Sequence, residues 1–142
     1  MNAKEYLSQA FRLDQRINSK LDQVSSLRDL AAKITASYSP DRVDGTKQRS
    51  PKENILVKII DYENEIDADI DRLVDLKIEI TTIIRNVNDA DSQLLLELRY
   101  LNFKTWVEIA TAMGFTFQWI HSLHKKALQK INIKPLIKVD SN

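Results

Sequence analysis

Ile59, Ile66, Leu73, Ile80 and Val87 stand seven residues apart without a slip. A strict seven-residue apolar repeat holds one stripe of an α-helix against one partner, which is the condition for a coiled-coil seam. Leu56, Ile70 and Ile84 widen the stripe, and together these residues predict a helix from Pro51 to about Val87. Pro51 suits the first turn, where its missing N–H costs nothing. At roughly 54 Å long, such a helix needs a partner along its length.

The partner lies upstream. Leu7, Ala10, Leu13, Ile17, Leu21, Val24, Leu27, Ala31 and Ile34 recur mostly in steps of three and four, predicting a helix from about Asn2 to Ser37. Asn2 with Glu5 three places on forms a capping box at its start. The two glycines, Gly45 and Gly114, and the three prolines, Pro40, Pro51 and Pro135, fall outside both apolar runs or at their edge. Between the runs, YSPDRVDGTKQRS (38–50) reads as a polar loop, expected to be mobile. Folding the helices back on each other pairs residues whose numbers sum to about 90. Ile34 then meets Leu56, Ala31 meets Ile59, Val24 meets Ile66, Ile17 meets Leu73 and Ala10 meets Ile80. One register satisfies every layer, so an antiparallel hairpin is expected. The same seams can instead pair between two chains, or two hairpins can dock into a dimeric four-helix bundle.

After NDAD (88–91) the period shortens, predicting helices at about 91–101, 105–113 and 117–131. The expected fold class is therefore all-α: a long antiparallel hairpin over 1–87, with a loop at about 38–51, then a small three-helix module over 88–134 and a frayed tail over 135–142. Thr105 and Glu108 form a second capping box. Ala110, Gly114 and Ile120 have the spacing of a helix-turn-helix, in which the small residue lets two helices cross closely. Gly114 supplies the left-handed turn, and Ile120 buries the second helix. The second helix of such a unit lies in the DNA major groove.

Charge is sorted along the chain, although the net value is only +1. Residues 52–85 carry nine acidic and five basic side chains; residues 101–142 carry six basic and two acidic ones. This asymmetry suggests a nucleic-acid-facing end. On the last helix the expected buried face is Ile120, Leu123, Ala127 and Ile131, with Leu128 beside it. The outward face carries Phe117, Gln118, His121, Ser122, Lys125 and Gln129. Gln118 can bond adenine edges, and His121 and Ser122 can reach bases. Lys125, Lys126 and Lys130 suit phosphates, and Lys104 with Thr105 can hold one at a helix N-terminus. Both histidines, His121 and His124, are expected to contact DNA.

Other chemistries find little support. Absence of cysteine excludes disulfides, thiolate zinc sites and cysteine nucleophiles. His121 and His124 share a helix, yet no acid lies within 116–139 to complete a metal site. Asp67, Asp69 and Asp71 imitate the start of a calcium loop. That loop needs a glycine where Arg72 stands and an acid where Ile78 stands. The carboxylates of 61–75 are better read as a solvated face, with Lys20 opposite the Asp69 level and Arg28 opposite the Asp61 level. No phosphate loop or catalytic constellation is present, so an enzyme is not expected, and neither is a cofactor. The charged N-terminus lacks a signal-length apolar run and no segment approaches a membrane span, so a soluble cytoplasmic protein is expected, without membrane contact.

EIATAMGFTFQWIHSLHKKALQKI resembles the C-terminal helix-turn-helix of bacterial sigma factors, region 4, most closely in EIA, MG and KKALQKI. The whole chain resembles the ArpU-like late transcription regulators of phages and prophages of Gram-positive bacteria. That likeness runs through NAKEYLSQAFRLDQRINSKLDQVSSLRDLA, ENEIDADIDRLVDLK and LLLELRYLNFKTWVEIA. The resemblance implies gene regulation in a bacterial host, binding to double-stranded DNA and a contact with RNA polymerase. Sigma recognition helices usually carry charged residues where Phe117, Gln118, Trp119 and His121 stand here, which argues against reading a standard −35 element. The expected function is that of a DNA-binding transcription regulator. The alternative is a coiled-coil interaction protein that binds host polymerase or another protein, and a homodimer through the hairpin is compatible with both.

Overall fold

The computed structural model describes residues 1–37 and 50–133. Residues 38–49 of the expected loop, and the expected tail after Lys134, lie outside the described residues. Among the described residues the secondary structure is entirely helical, and the fold class is all-α. In chain order the helices are α1 (Ala3–Ser37), α2 (Pro51–Arg85), α3 (Ala90–Leu96), α4 (Trp106–Met113) and α5 (Phe117–Gln129). A π-helical turn, Glu97–Leu101, continues α3. None of these helices is long and apolar enough to cross a membrane.

The chain divides into two compact units, one of Gln15–Arg72 and one of Met1–Asp14 with Leu73–Asn142. In the first, α1 and α2 run antiparallel within the chain. Ile17, Val24, Ala31, Ile59 and Ile66 are its buried apolar residues. The register follows the expected sum of about 90, since Lys20 bonds Asp69 at 2.6 Å and reaches Glu65 at 3.5 Å. Arg28 pairs with Glu63 rather than at the Asp61 level, one half-turn further along α2. Leu21, expected in the stripe, is exposed, and half-buried Lys20 takes the inward position. Both choices fit a helical step from Ile17; the seven-residue frame selects Lys20. A polar layer in an apolar seam lowers stability but fixes register. Bonding to Asp69 raises the Lys20 pKa above its ordinary value. Leu56 and Ile70, also expected in the stripe, are exposed as well.

The second unit holds one continuous core. Leu7, Ala10, Ile80, Ile84, Leu95, Leu96, Ile109, Ile120 and Ala127 are fully enclosed there. Asn2 and Glu5 cap the start of α1 reciprocally, and the Tyr6 hydroxyl donates to Glu79 at 2.9 Å. Where α2 ends, the Gln93 amide donates to the carbonyls of Arg85 and Val87. Asp89 then caps α3 by accepting from the Ser92 N–H and hydroxyl. The Ser92 hydroxyl is also the main reason the Asp89 carboxyl lies below its usual pKa range. After the π-helical turn, Phe103 takes φ 56°, a backbone region rarely used by aromatic residues. Its ring is held edge-on by Phe11 at 5.6 Å and under the Lys77 ammonium at 4.8 Å.

Candidate nucleic-acid interface

The sequence from Lys104 to Lys130 builds a helix-turn-helix from locally satisfied ends. Thr105 accepts from the Glu108 N–H at 3.2 Å, while Glu108 accepts from the Thr105 N–H at 3.1 Å, closing the expected capping box. Hydrogen bonding from the Thr105 backbone N–H, and then from its side chain, holds the Glu108 carboxyl below its usual pKa range. At the other end of α4, Gly114 is left-handed with φ 69°. The Phe115 N–H reaches back to the Ala110 carbonyl at 3.1 Å and the Gly114 N–H to Thr111 at 3.3 Å, the double bond pattern of a Schellman turn. A Cβ on Gly114 would meet nothing within 4 Å, so conformation rather than space demands glycine. Thr116 opens α5 by accepting from the Trp119 N–H at 3.2 Å.

Helical geometry then sorts the side chains of α5. Ile120, Leu123 and Ala127 turn into the core, as the spacing predicts. Ile131 lies just past the end of α5 and is half-buried, as is Leu128. At about 3.6 residues per turn, Gln118, Ser122, Lys125 and Gln129 stand opposite the buried row. Phe117 and His121 follow along one edge, with Trp119, Lys126 and Lys130 along the other. All nine are exposed to solvent. The cations on this face are not opposed by any acid on α5 itself.

The two histidines separate. His121 is exposed, but His124 is only 8% exposed. Its Nε2 and the Tyr100 hydroxyl share a hydrogen bond of 2.7 Å, and its ring packs edge-on against Trp106 at 4.7 Å. Burial, aided by the charges of Lys4, Arg99 and His121, pushes its pKa down to about 4. The same burial pushes the Tyr100 hydroxyl up to about 12. His124 is therefore a neutral core residue and cannot touch DNA from this position, contrary to the sequence-based expectation. The signal was present: His124 falls four after Ile120 and three before Ala127, on the inward arc.

An aromatic ladder, unforeseen from the sequence, runs along one edge of α5. The Arg99 guanidinium lies over the Trp106 ring at 4.3 Å. Trp106 meets His121 at 5.5 Å, and His121 stacks on Phe117 at 6.5 Å. On the opposite edge Trp119 is braced edge-on by Phe115 at 6.2 Å and covered by the Lys126 ammonium at 5.8 Å. Phe117 and Trp119 still leave about half their surface in water, at 48% and 50%. Lys104 and Thr105 sit apart from this face, at the start of α4. The Glu108 carboxylate fills the N-terminal position there and lies 3.9 Å from the Lys104 ammonium. A phosphate at that end would meet this carboxylate. Lys130 extends to Asp89 at 3.6 Å, yet remains 46% exposed along its side chain. Among the described residues, no group of three His, Cys, Asp or Glu side chains is placed to hold a metal ion.

These features define an all-α protein that carries a capped helix-turn-helix with an aromatic and cationic outer face. The chain belongs to the family described as Protein of unknown function (DUF1492), whose model matches residues 33–132. The matched segment takes in all of α2 to α5. Neither among curated proteins nor among solved structures is there a match to the chain.

Proposed function

We propose that this protein is a phage-type transcription regulator that binds double-stranded DNA in the host cytoplasm through the outer face of α5. The observation that carries the reading is the composition of that face. Gln118, His121, Ser122 and Lys125 project together from a helix whose ends are capped and whose opposite side is locked into a core. Placed in the major groove, Gln118 suits an adenine edge, and His121 and Ser122 suit neighbouring bases. Lys125, Lys126 and Lys130 suit phosphates and make affinity fall with salt. Lys104 and Thr105 are secondary, because Glu108 competes for the same end of α4. Phe117 belongs to the base-facing set. The resemblance to sigma region 4 and to the ArpU-like regulators supports the same reading, which acts by binding rather than by catalysis.

Gel shifts with phage promoter DNA over a range of salt test it. Gln118→Ala combined with His121→Ala is expected to abolish sequence preference while leaving helicity intact by circular dichroism. Parent-like binding by that double variant contradicts the assignment of α5 as the recognition helix.

A second reading rests on the first unit. With its seam closed within the chain, Leu21, Leu30, Leu56 and Ile60 remain exposed there. In this reading the hairpin rather than α5 engages the partner, either a second copy docked hairpin to hairpin or host RNA polymerase. Co-purification from bacterial lysate with and without nuclease separates the readings. A polymerase partner retained after nuclease, with no DNA affinity, favours the second. Solution mass decides whether a second copy is present.

A further inference from the structure

We propose that Phe117 makes this protein a reader of thymine methyl groups, so that its DNA target contains A·T pairs at the positions facing the first turn of α5. This rests on the DNA-binding reading above and names the chemistry that the face selects. Phe117 is the first residue of α5, immediately after the Thr116 cap. In a helix-turn-helix the N-terminal residues of the second helix contact base edges. A phenyl ring has neither donor nor acceptor, so the feature of the major groove that complements it is the C5-methyl group of thymine.

Two observations separate this from an aromatic residue left over on a surface. The core of the module is complete without Phe117, which stays 48% exposed. On one side the ring has an aromatic neighbour. It is stacked on His121 with 23° between the planes, and His121 is in turn backed by Trp106 and Arg99. An aromatic ring has only two side-chain torsions to fix, so it loses little rotamer freedom on contact. Gln118 adds to the same preference. Its amide complements the N6 and N7 atoms of adenine, the partner of thymine, so the two adjacent residues suit the two halves of an A·T pair. Lys125 on the same face, with Lys126 and Lys130 along its other edge, supplies the charge that holds a duplex there.

The test uses the whole chain and the duplex it enriches from a random-sequence library. Each thymine of that duplex is replaced in turn by uracil, which removes the methyl and keeps every hydrogen-bonding group. At one or two positions uracil is expected to weaken binding about four-fold, the equivalent of one buried methyl group. Phe117→Ala is expected to bring the thymine-to-uracil ratio at those positions to about one, and Phe117→Leu to retain part of it. Equal binding of all thymine and uracil duplexes by the parent overturns the proposal while leaving DNA binding intact. So does a Phe117→Ala variant that loses affinity for both duplexes alike, which is the behaviour of a ring needed only for structure or for a protein partner. Failure to enrich any duplex overturns the DNA-binding reading itself, and this inference with it.

Discussion

The two units of the chain solve the burial problem differently. Gln15–Arg72 buries a single row, in which Ile59, Ile66, Ile17, Val24 and Ala31 keep a trace of exposure and one layer is given over to Lys20 and Asp69. The unit formed by Met1–Asp14 and Leu73–Asn142 encloses Leu7, Ile80, Ile84, Leu95, Leu96, Ile109 and Ile120 completely. A single row between two helices fixes which helix pairs with which, and in what register. A closed core fixes the rotation of each helix about its own axis. The second condition specifies which side chains of a short helix face solvent, and that is what the DNA-reading role proposed for α5 requires.

The sharpest way to break this contrast is to cut one residue from each interior. Ile120→Ala is expected to cost about 3–4 kcal/mol, because the surrounding side chains cannot close the cavity. Ile66→Ala is expected to cost about 2 kcal/mol, since two helices can settle together over the gap. Urea denaturation of both variants decides, and a larger loss at Ile66 would reverse the contrast.

The buried His124 gives a pH test of the closed core. Above its ordinary pKa of 6.5 the imidazole is neutral in both folded and unfolded chains and adds no pH dependence. Between 6.5 and about 4 the unfolded chain takes up a proton that the folded chain refuses, so stability falls as pH falls through that window. His124→Gln is expected to flatten this part of the profile of urea midpoint against pH. An unchanged profile would mean that His124 titrates as if exposed.

Smaller effects sharpen the picture. Gly114→Ala is expected to cost about 1–2 kcal/mol through the left-handed backbone alone, and Gly114→Asn less, as read by thermal melting. In the single-row unit, Lys20→Ala should lower the urea midpoint more than Arg28→Ala, because Lys20 lies inside the seam and Arg28 outside it. For Arg28, on the surface, about 0.5 kcal/mol or less is expected.

Much of the fold was legible because periodicity acts over long stretches. The repeat from Ile59 to Val87, the capping pairs Asn2–Glu5 and Thr105–Glu108, and the turn at Gly114 each act through local chemistry. The observed α1, α2 and α4 ends agree with it to within two residues. Only part of what escaped depends on tertiary surroundings. Lys20 in place of Leu21 follows the seven-residue frame of Leu13, Leu27 and Ile34, a signal overridden because leucine is apolar and both positions fit the step from Ile17. The π-helical turn and the left-handed Phe103 left no local mark. His124 was assigned by its chemistry although its position pointed inward. The ladder of Arg99, Trp106, His121 and Phe117 joins residues up to 22 positions apart on three successive elements, and no spacing rule brings Arg99 and Trp106 against the His121–Phe117 pair of α5.

The claim that the outer face of α5 grips DNA is tested most directly by the salt dependence of binding to duplex DNA, measured by fluorescence anisotropy. The parent chain is compared with Lys125→Ala, Lys126→Ala and Lys130→Ala, singly and together. Log affinity is expected to fall linearly with log salt, and the slope to drop by about one for each phosphate-contacting lysine removed. A parent that shows no binding at low salt, or a triple variant with the parent's slope, would contradict it.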